Sequence, residues 1–185
     1  MTLCQNRISM DLSNIASIVT SFPAACPLYG KISSDILDLS VLHESYAWIP
    51  GENDIRPSSD TLVLKRSRLA MIESEWASFC DYIRVTVFGL LKTKDSSGRY
   101  VSIGDDSNIP SHTRVFAPNE FPYNVPKHWV LWYGPNNVIR DDDEITAHIR
   151  EALSMHPTLK DRQFAWYVNP KMTVPEYFHV QVFIS

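Results

Sequence analysis

Residues 177–185 read YFHVQVFIS, and their alternation decides the fold class. Successive side chains of a strand point to opposite faces, so Phe178, Val180, Val182 and Ile184 share one side and Tyr177, His179 and Gln181 the other. Upstream, HWVLWY (128–133) is continuously apolar after its histidine, as a strand covered on both faces is, and QFAWYVN (163–169) has the same character. Between them, RDDDEITAHIREALSMHP (140–157) is helical by spacing: Ile145, Ile149, Ala152 and Leu153 share a face, acidic residues open the segment, and Pro157 closes it. Strand, helix, strand, strand predicts an α+β fold with an antiparallel sheet.

Working toward the N-terminus, residues 66–84 predict a single helix with Ile72, Trp76, Phe79, Cys80 and Ile83 as its apolar stripe. RVTVFGLL then turns strand-like in composition, and residues 94–110 carry turn and loop chemistry. Residues 1–60 are broken by Pro23, Pro27, Pro50 and Pro57 into pieces too short for long elements, apart from a short helix within 34–46. The expected organisation is an N-terminal covering segment, 1–60, on an α+β domain, 61–185, forming one compact unit.

The composition is that of an average globular protein, 44% hydrophobic and 21% charged over 185 residues. A chain of this size buries roughly 70% of its unfolded surface, enough for a core without staples. A net charge of −4 offers no global basic field, so nucleic acid is not the favoured partner. Cys4, Cys26 and Cys80 are far apart and odd in number, and the expectation is idle thiols in a reducing, cytoplasmic setting. No run of 18 apolar residues occurs, so no membrane span is expected, and residues 13–26 lack the charge pattern of a signal peptide. Neither a metal nor any other cofactor is expected.

His179 and Gln181 carry the most chemistry. A neutral imidazole, with an ordinary pKa of about 6.5, serves as nucleophile or base near neutrality, and an amide two residues on can hydrogen-bond a phosphate or a developing oxyanion. The plainer interpretation makes them the solvated face of an edge strand. Asp141, Asp142, Asp143 and Glu144 resemble a metal cluster, but consecutive helical residues diverge by about 100°, and interaction with the helix N-terminus explains them. Trp129, Trp132, Tyr133, Trp166 and Tyr167 read as core, with room for one of them to line a pocket.

Two stretches together resemble a known family. NEFPYNVPKHWVLWY (119–133) and RQFAWYVNPKMTVPEYFHVQVF (162–183) are similar to the two end signatures of a largely fungal family of unknown function, typified by N-acetylglucosamine-induced protein 1. Residues 64–83, LKRSRLAMIESEWASFCDYI, fit its Arg-Ser and aromatic helix loosely. At greater distance the same stretches resemble the histidine-triad (HIT-like) superfamily. Asn119 with Pro122, then Pro126-Lys127-His128, the helix 141–155, Asn169, Thr173-Val174 and the terminal His179-x-Gln181 follow that order.

The resemblance implies a nucleotide or sugar-nucleotide phosphohydrolase or nucleotidyltransferase acting on a small nucleotide or sugar phosphate. His179 would be the nucleophile, Gln181 would stabilise the non-bridging oxygens, and Lys127 or Lys171 would supply positive charge. Asn119 would hold a sugar hydroxyl and Asn169 would orient backbone, with Tyr123, His128, Thr173 and Tyr177 completing the substrate site. In this frame Tyr177 stands where the first histidine of the triad would be. In the alternative frame His179 is the first triad position, Gln181 takes the nucleophile's place, and the protein binds a nucleotide or amino-sugar phosphate without catalysis. A third possibility is an interaction module whose apolar strands only build core. An exposed edge at 177–185 would pair across a two-fold axis in a homodimer.

Overall fold

The structure, a computed structural model, describes residues 57–123, 127–135, 140–168 and 172–184. Among the described residues, three α-helices and two antiparallel sheets make an α+β fold. The expected covering segment, the short helix within 34–46, Cys4 and Cys26 lie outside the described residues, apart from residues 57–60.

The helix expected over 66–84 is two helices, α1 (Ser59–Glu75) and α2 (Phe79–Thr86). Ser58 caps the first by accepting from the Thr61 N–H at 3.1 Å. The break follows from local chemistry. Trp76 turns extended, with ψ 147°, and bridges to Tyr100, while the Ala77 N–H donates to the Tyr100 carbonyl at 2.9 Å. Ser78 then restarts the helix, accepting from the Asp81 N–H and donating to the Asp81 carboxylate at 2.6 Å, a reciprocal cap. The apolar stripe still holds, because Ile72, Trp76, Cys80 and Ile83 are all buried.

Beyond α2 the expected strand-like stretch is the end of the helix and a turn through Gly89, and the expected loop at 94–110 includes a hairpin. Its strands are β1 (Lys92–Lys94) and β2 (Tyr100–Ser102). Asp95 closes the turn by accepting from the Ser97 and Arg99 N–H groups, and Gly98 sits at φ 81°, where a side chain would strain.

The main sheet contains β3 (Arg114–Pro118), β4 (Lys127–Tyr133), β5 (Phe164–Val168) and β6 (His179–Ile184), in the order β3-β4-β6-β5 with every neighbour antiparallel. Helix α3 (Asp142–Ser154) connects β4 to β5, which run the same way and leave a gap that β6 fills. Asp141 caps α3 through the Glu144 N–H at 2.8 Å, so the acidic run works as a helix start. Among the described residues no group of three or more His, Cys, Asp or Glu is arranged to hold a metal.

One sheet face carries the larger core: Leu131 and Tyr133 of β4, Phe164 and Trp166 of β5, and Val180, Val182 and Ile184 of β6 pack with Ile145, Ile149 and Leu153 of α3. Burying each such side chain contributes about 1.5–3 kcal/mol. A second cluster gathers Cys80 and Ile83 of α2 with Val174 and Tyr177, and Trp132 of β4 packs against it. Strand β6 is therefore central and buried on both faces, which overturns the expected exposed edge at 177–185 and the two-fold pairing built on it.

Candidate functional site

Strand alternation places His128, Val130 and Trp132 of β4 on the sheet face away from α3, and the register sets them beside Phe183, Gln181 and His179 of β6. Two polar groups thus sit mid-sheet among apolar neighbours, His179 and Gln181 each only 6% exposed. The solvated-face interpretation fails on that burial. Polar groups buried to this degree need partners.

His179 stacks on Trp132, ring centroids 4.2 Å apart and planes 28° off parallel. Its Nδ1 lies 2.8 Å from the Tyr177 carbonyl oxygen. A carbonyl only accepts, so Nδ1 carries the hydrogen and the ring lone pair is left on Nε2. Burial holds this imidazole below its ordinary pKa, opposed by the bond to Tyr177, which keeps it neutral near pH 7.

Gln181 is gripped from the other side. Its Oε1 lies 2.7 Å from His128 Nε2 and accepts from Asn119 Nδ2 at 2.9 Å. The Tyr123 N–H donates to His128 Nδ1 at 3.0 Å, and the Phe121 N–H to Asn119 Oδ1 at 2.8 Å. Backbone N–H groups only donate. His128 must therefore present a lone pair at Nδ1 and a hydrogen at Nε2, and Asn119 must turn its NH₂ toward Gln181. Asn119 Nδ2 and His128 Nε2, 3.2 Å apart, are then two donors converging on one oxygen. His128 stacks on Phe183 at 4.5 Å and meets the Tyr123 ring edge-on at 4.9 Å. Burial pushes its pKa down to about 4, against the opposing effect of its Gln181 bond.

The outcome is a face carrying an imidazole lone pair at His179 and an amide NH₂ at Gln181, neither with a hydrogen-bond partner among the described residues. Residues two apart on one strand face lie about 7 Å from each other.

The other residues named from sequence are distributed as follows. Asn119 and His128 belong to the cluster and hold Gln181, with both ring nitrogens of His128 and the Oδ1 and one Nδ2 hydrogen of Asn119 engaged inside it. Tyr123 contributes its backbone N–H and its ring. Lys127 pairs with Ile184 and falls on the opposite, helix-covered face, away from Gln181. Thr173 is half-buried in the segment before Tyr177. Tyr177 is fully buried, and its hydroxyl donates to Asp106, which also accepts from Arg84 Nε at 2.9 Å; its side chain thus joins the α2 packing. Asn169 and Lys171 lie outside the described residues. The sequence missed Trp132 as the stacking partner of His179, although an aromatic at the matching position of a paired strand was the available signal.

Compared with known proteins, the chain matches no family model, no curated protein and no solved structure.

Proposed function

We propose that the protein is a histidine-triad-like enzyme that transfers or hydrolyses a nucleotidyl or related phosphoryl group through His179. One observation carries the proposal: the Tyr177 carbonyl holds the Nδ1 hydrogen of His179, which commits Nε2 to be the lone-pair nitrogen on the face shared with the Gln181 amide NH₂. This suits the frame in which His179, and not Gln181, is the nucleophile.

In the reaction the Nε2 lone pair attacks phosphorus and forms a P–N bond. The bond from phosphorus to the leaving phosphate or sugar-phosphate oxygen breaks, and its electron pair departs on that oxygen. Gln181 donates to a non-bridging oxygen as charge builds there. Water, phosphate or a sugar phosphate then attacks phosphorus, the P–N electron pair returns to Nε2, and where water is the acceptor its proton passes to solvent. The low pKa of His179 favours this chemistry, since an uncharged ring needs no deprotonation before attack.

One feature favours a second possibility, binding without turnover. The His179 ring is closed in by Trp132 and only 6% exposed, so in-line approach requires the face to open. Incubation with nucleotides and nucleoside-diphosphate sugars, quenched in base and read by intact mass, separates the two. The expected result is an acid-labile nucleotidyl adduct on His179, absent in His179→Ala. Thermal stabilisation without adduct or turnover would support binding alone. No adduct, no turnover and no stabilisation across the panel would reject both.

A further inference from the structure

We infer that Asn119 and His128 are positioning residues: they fix the Gln181 side-chain amide so that its NH₂, never its carbonyl oxygen, is the group left to meet a ligand on the sheet face it shares with His179. The chain of donors begins at two backbone N–H groups of the 119–123 turn, those of Phe121 and Tyr123. Neither can reverse its role, so the polarity passes through Asn119 and His128 to Gln181 without an alternative arrangement that keeps every bond. A free glutamine amide flips at will. This one is held at 6% exposure by two donors at 2.7 and 2.9 Å.

The consequence is a rule for the ligand. The atom meeting Gln181 must be a hydrogen-bond acceptor, and an amine or amide NH₂ presented there would oppose another donor in a buried setting, at a severe cost in affinity. An oxygen attached to the atom facing His179 Nε2 satisfies both groups at once, and a phosphoryl group has that shape. The ligand rule rests on the proposed function; the amide orientation does not.

Asn119→Asp reverses the logic. An aspartate at 119 still accepts from the Phe121 N–H, and its second oxygen now faces His128 Nε2 and Gln181. His128 Nε2, 3.2 Å from the atom replaced, then transfers its hydrogen bond to the carboxylate, and the amide turns its NH₂ toward the carboxylate and its oxygen away from it. The chain contains only three glutamines, Gln5, Gln163 and Gln181, so ¹⁵N-glutamine labelling of the full chain gives three side-chain amide pairs. The Gln181 pair is expected to shift downfield and gain protection from exchange in Asn119→Asp, as a charge-assisted bond requires. A pair unchanged in position and exchange would overturn the inference.

A measurement on the unmutated chain tests the same point without relying on the variant's fold. Long-range ¹H–¹⁵N correlation is expected to give a neutral His128 with its hydrogen on Nε2, and a hydrogen on Nδ1 would overturn the inference. Inorganic phosphate serves as the ligand probe, expected to move the wild-type Gln181 pair and leave that of Asn119→Asp in place. A wild-type pair indifferent to phosphate, with the Asn119→Asp shift intact, would reject the phosphoryl chemistry and leave the positioning role standing.

Discussion

Replacing Gln181 by leucine tests the cluster through stability alone. The substitution nearly conserves volume but removes the oxygen on which His128 Nε2 and Asn119 Nδ2 converge. Neither donor has an escape by re-pairing, since His128 Nδ1 is held by the Tyr123 N–H and Asn119 Oδ1 by the Phe121 N–H. Each stranded donor costs about 1–3 kcal/mol. Leucine also removes the buried amide NH₂, which offsets about 1–2 kcal/mol of that loss. A net loss of about 1–4 kcal/mol is expected, a fall in Tm of about 2–16 °C for a chain of this length. Urea unfolding at pH 7 should show a lower midpoint with an unchanged slope. Gln181→Glu keeps an oxygen in front of both donors and is expected to lose less than half as much. A leucine variant within about 0.5 kcal/mol of wild type would refute the convergence of donors on this residue.

Stability should also depend on pH through His128. Its pKa is near 4 in the fold and about 6.5 when unfolded, so between those values the unfolded chain binds a proton that the folded one refuses. The contribution is fully present above pH 6.5 and is lost as pH falls toward 4, by about 3 kcal/mol in all. His179, also depressed, acts in the same direction. Urea midpoints from pH 7 to 4.5 should fall more steeply for wild type than for His128→Gln, and parallel profiles would contradict the assignment. Tyr177→Phe keeps the buried ring but removes the donor to Asp106, which retains Arg84, so calorimetry should find a loss of about 1–2 kcal/mol. No measurable loss would mean that the hydroxyl is idle.

Much of the sheet was legible in the sequence because burial and period leave direct marks. The unbroken apolar run at 128–133 and the spacing of Ile145, Ile149 and Leu153 identified β4 and α3, and both are present. Alternation in 177–185 identified β6 as a strand but misplaced it. A polar row on a strand usually means solvent, and here that row is buried because its polar atoms are tied to Asn119, His128 and the Tyr177 carbonyl. Such ties link residues 62 positions apart, and no local pattern encodes them. The split between α1 and α2 was written in Ser78 and Asp81, whose three-residue spacing is a helix start. The apolar stripe running through Trp76 outweighed it. At the site, Asn119, His128, His179 and Gln181 were all identified as important, but the hydrogen bonds that join Asn119 and His128 to Gln181 were not foreseen.

The position of β6 has a bearing on how the molecule is assembled in time. Of the described strands it is the last to be synthesised, yet it occupies the middle of the sheet. Until Ile184 is free to pair, β4 and β5 each display an open row of amides and carbonyls on a strongly apolar ribbon, a form prone to sticking to other chains. Closing the sheet joins segments about fifty residues apart, which is slow by the measure of contact order. The nascent chain is therefore most vulnerable in the interval between finishing α3 and finishing β6, and a shielding partner would do most good at that moment.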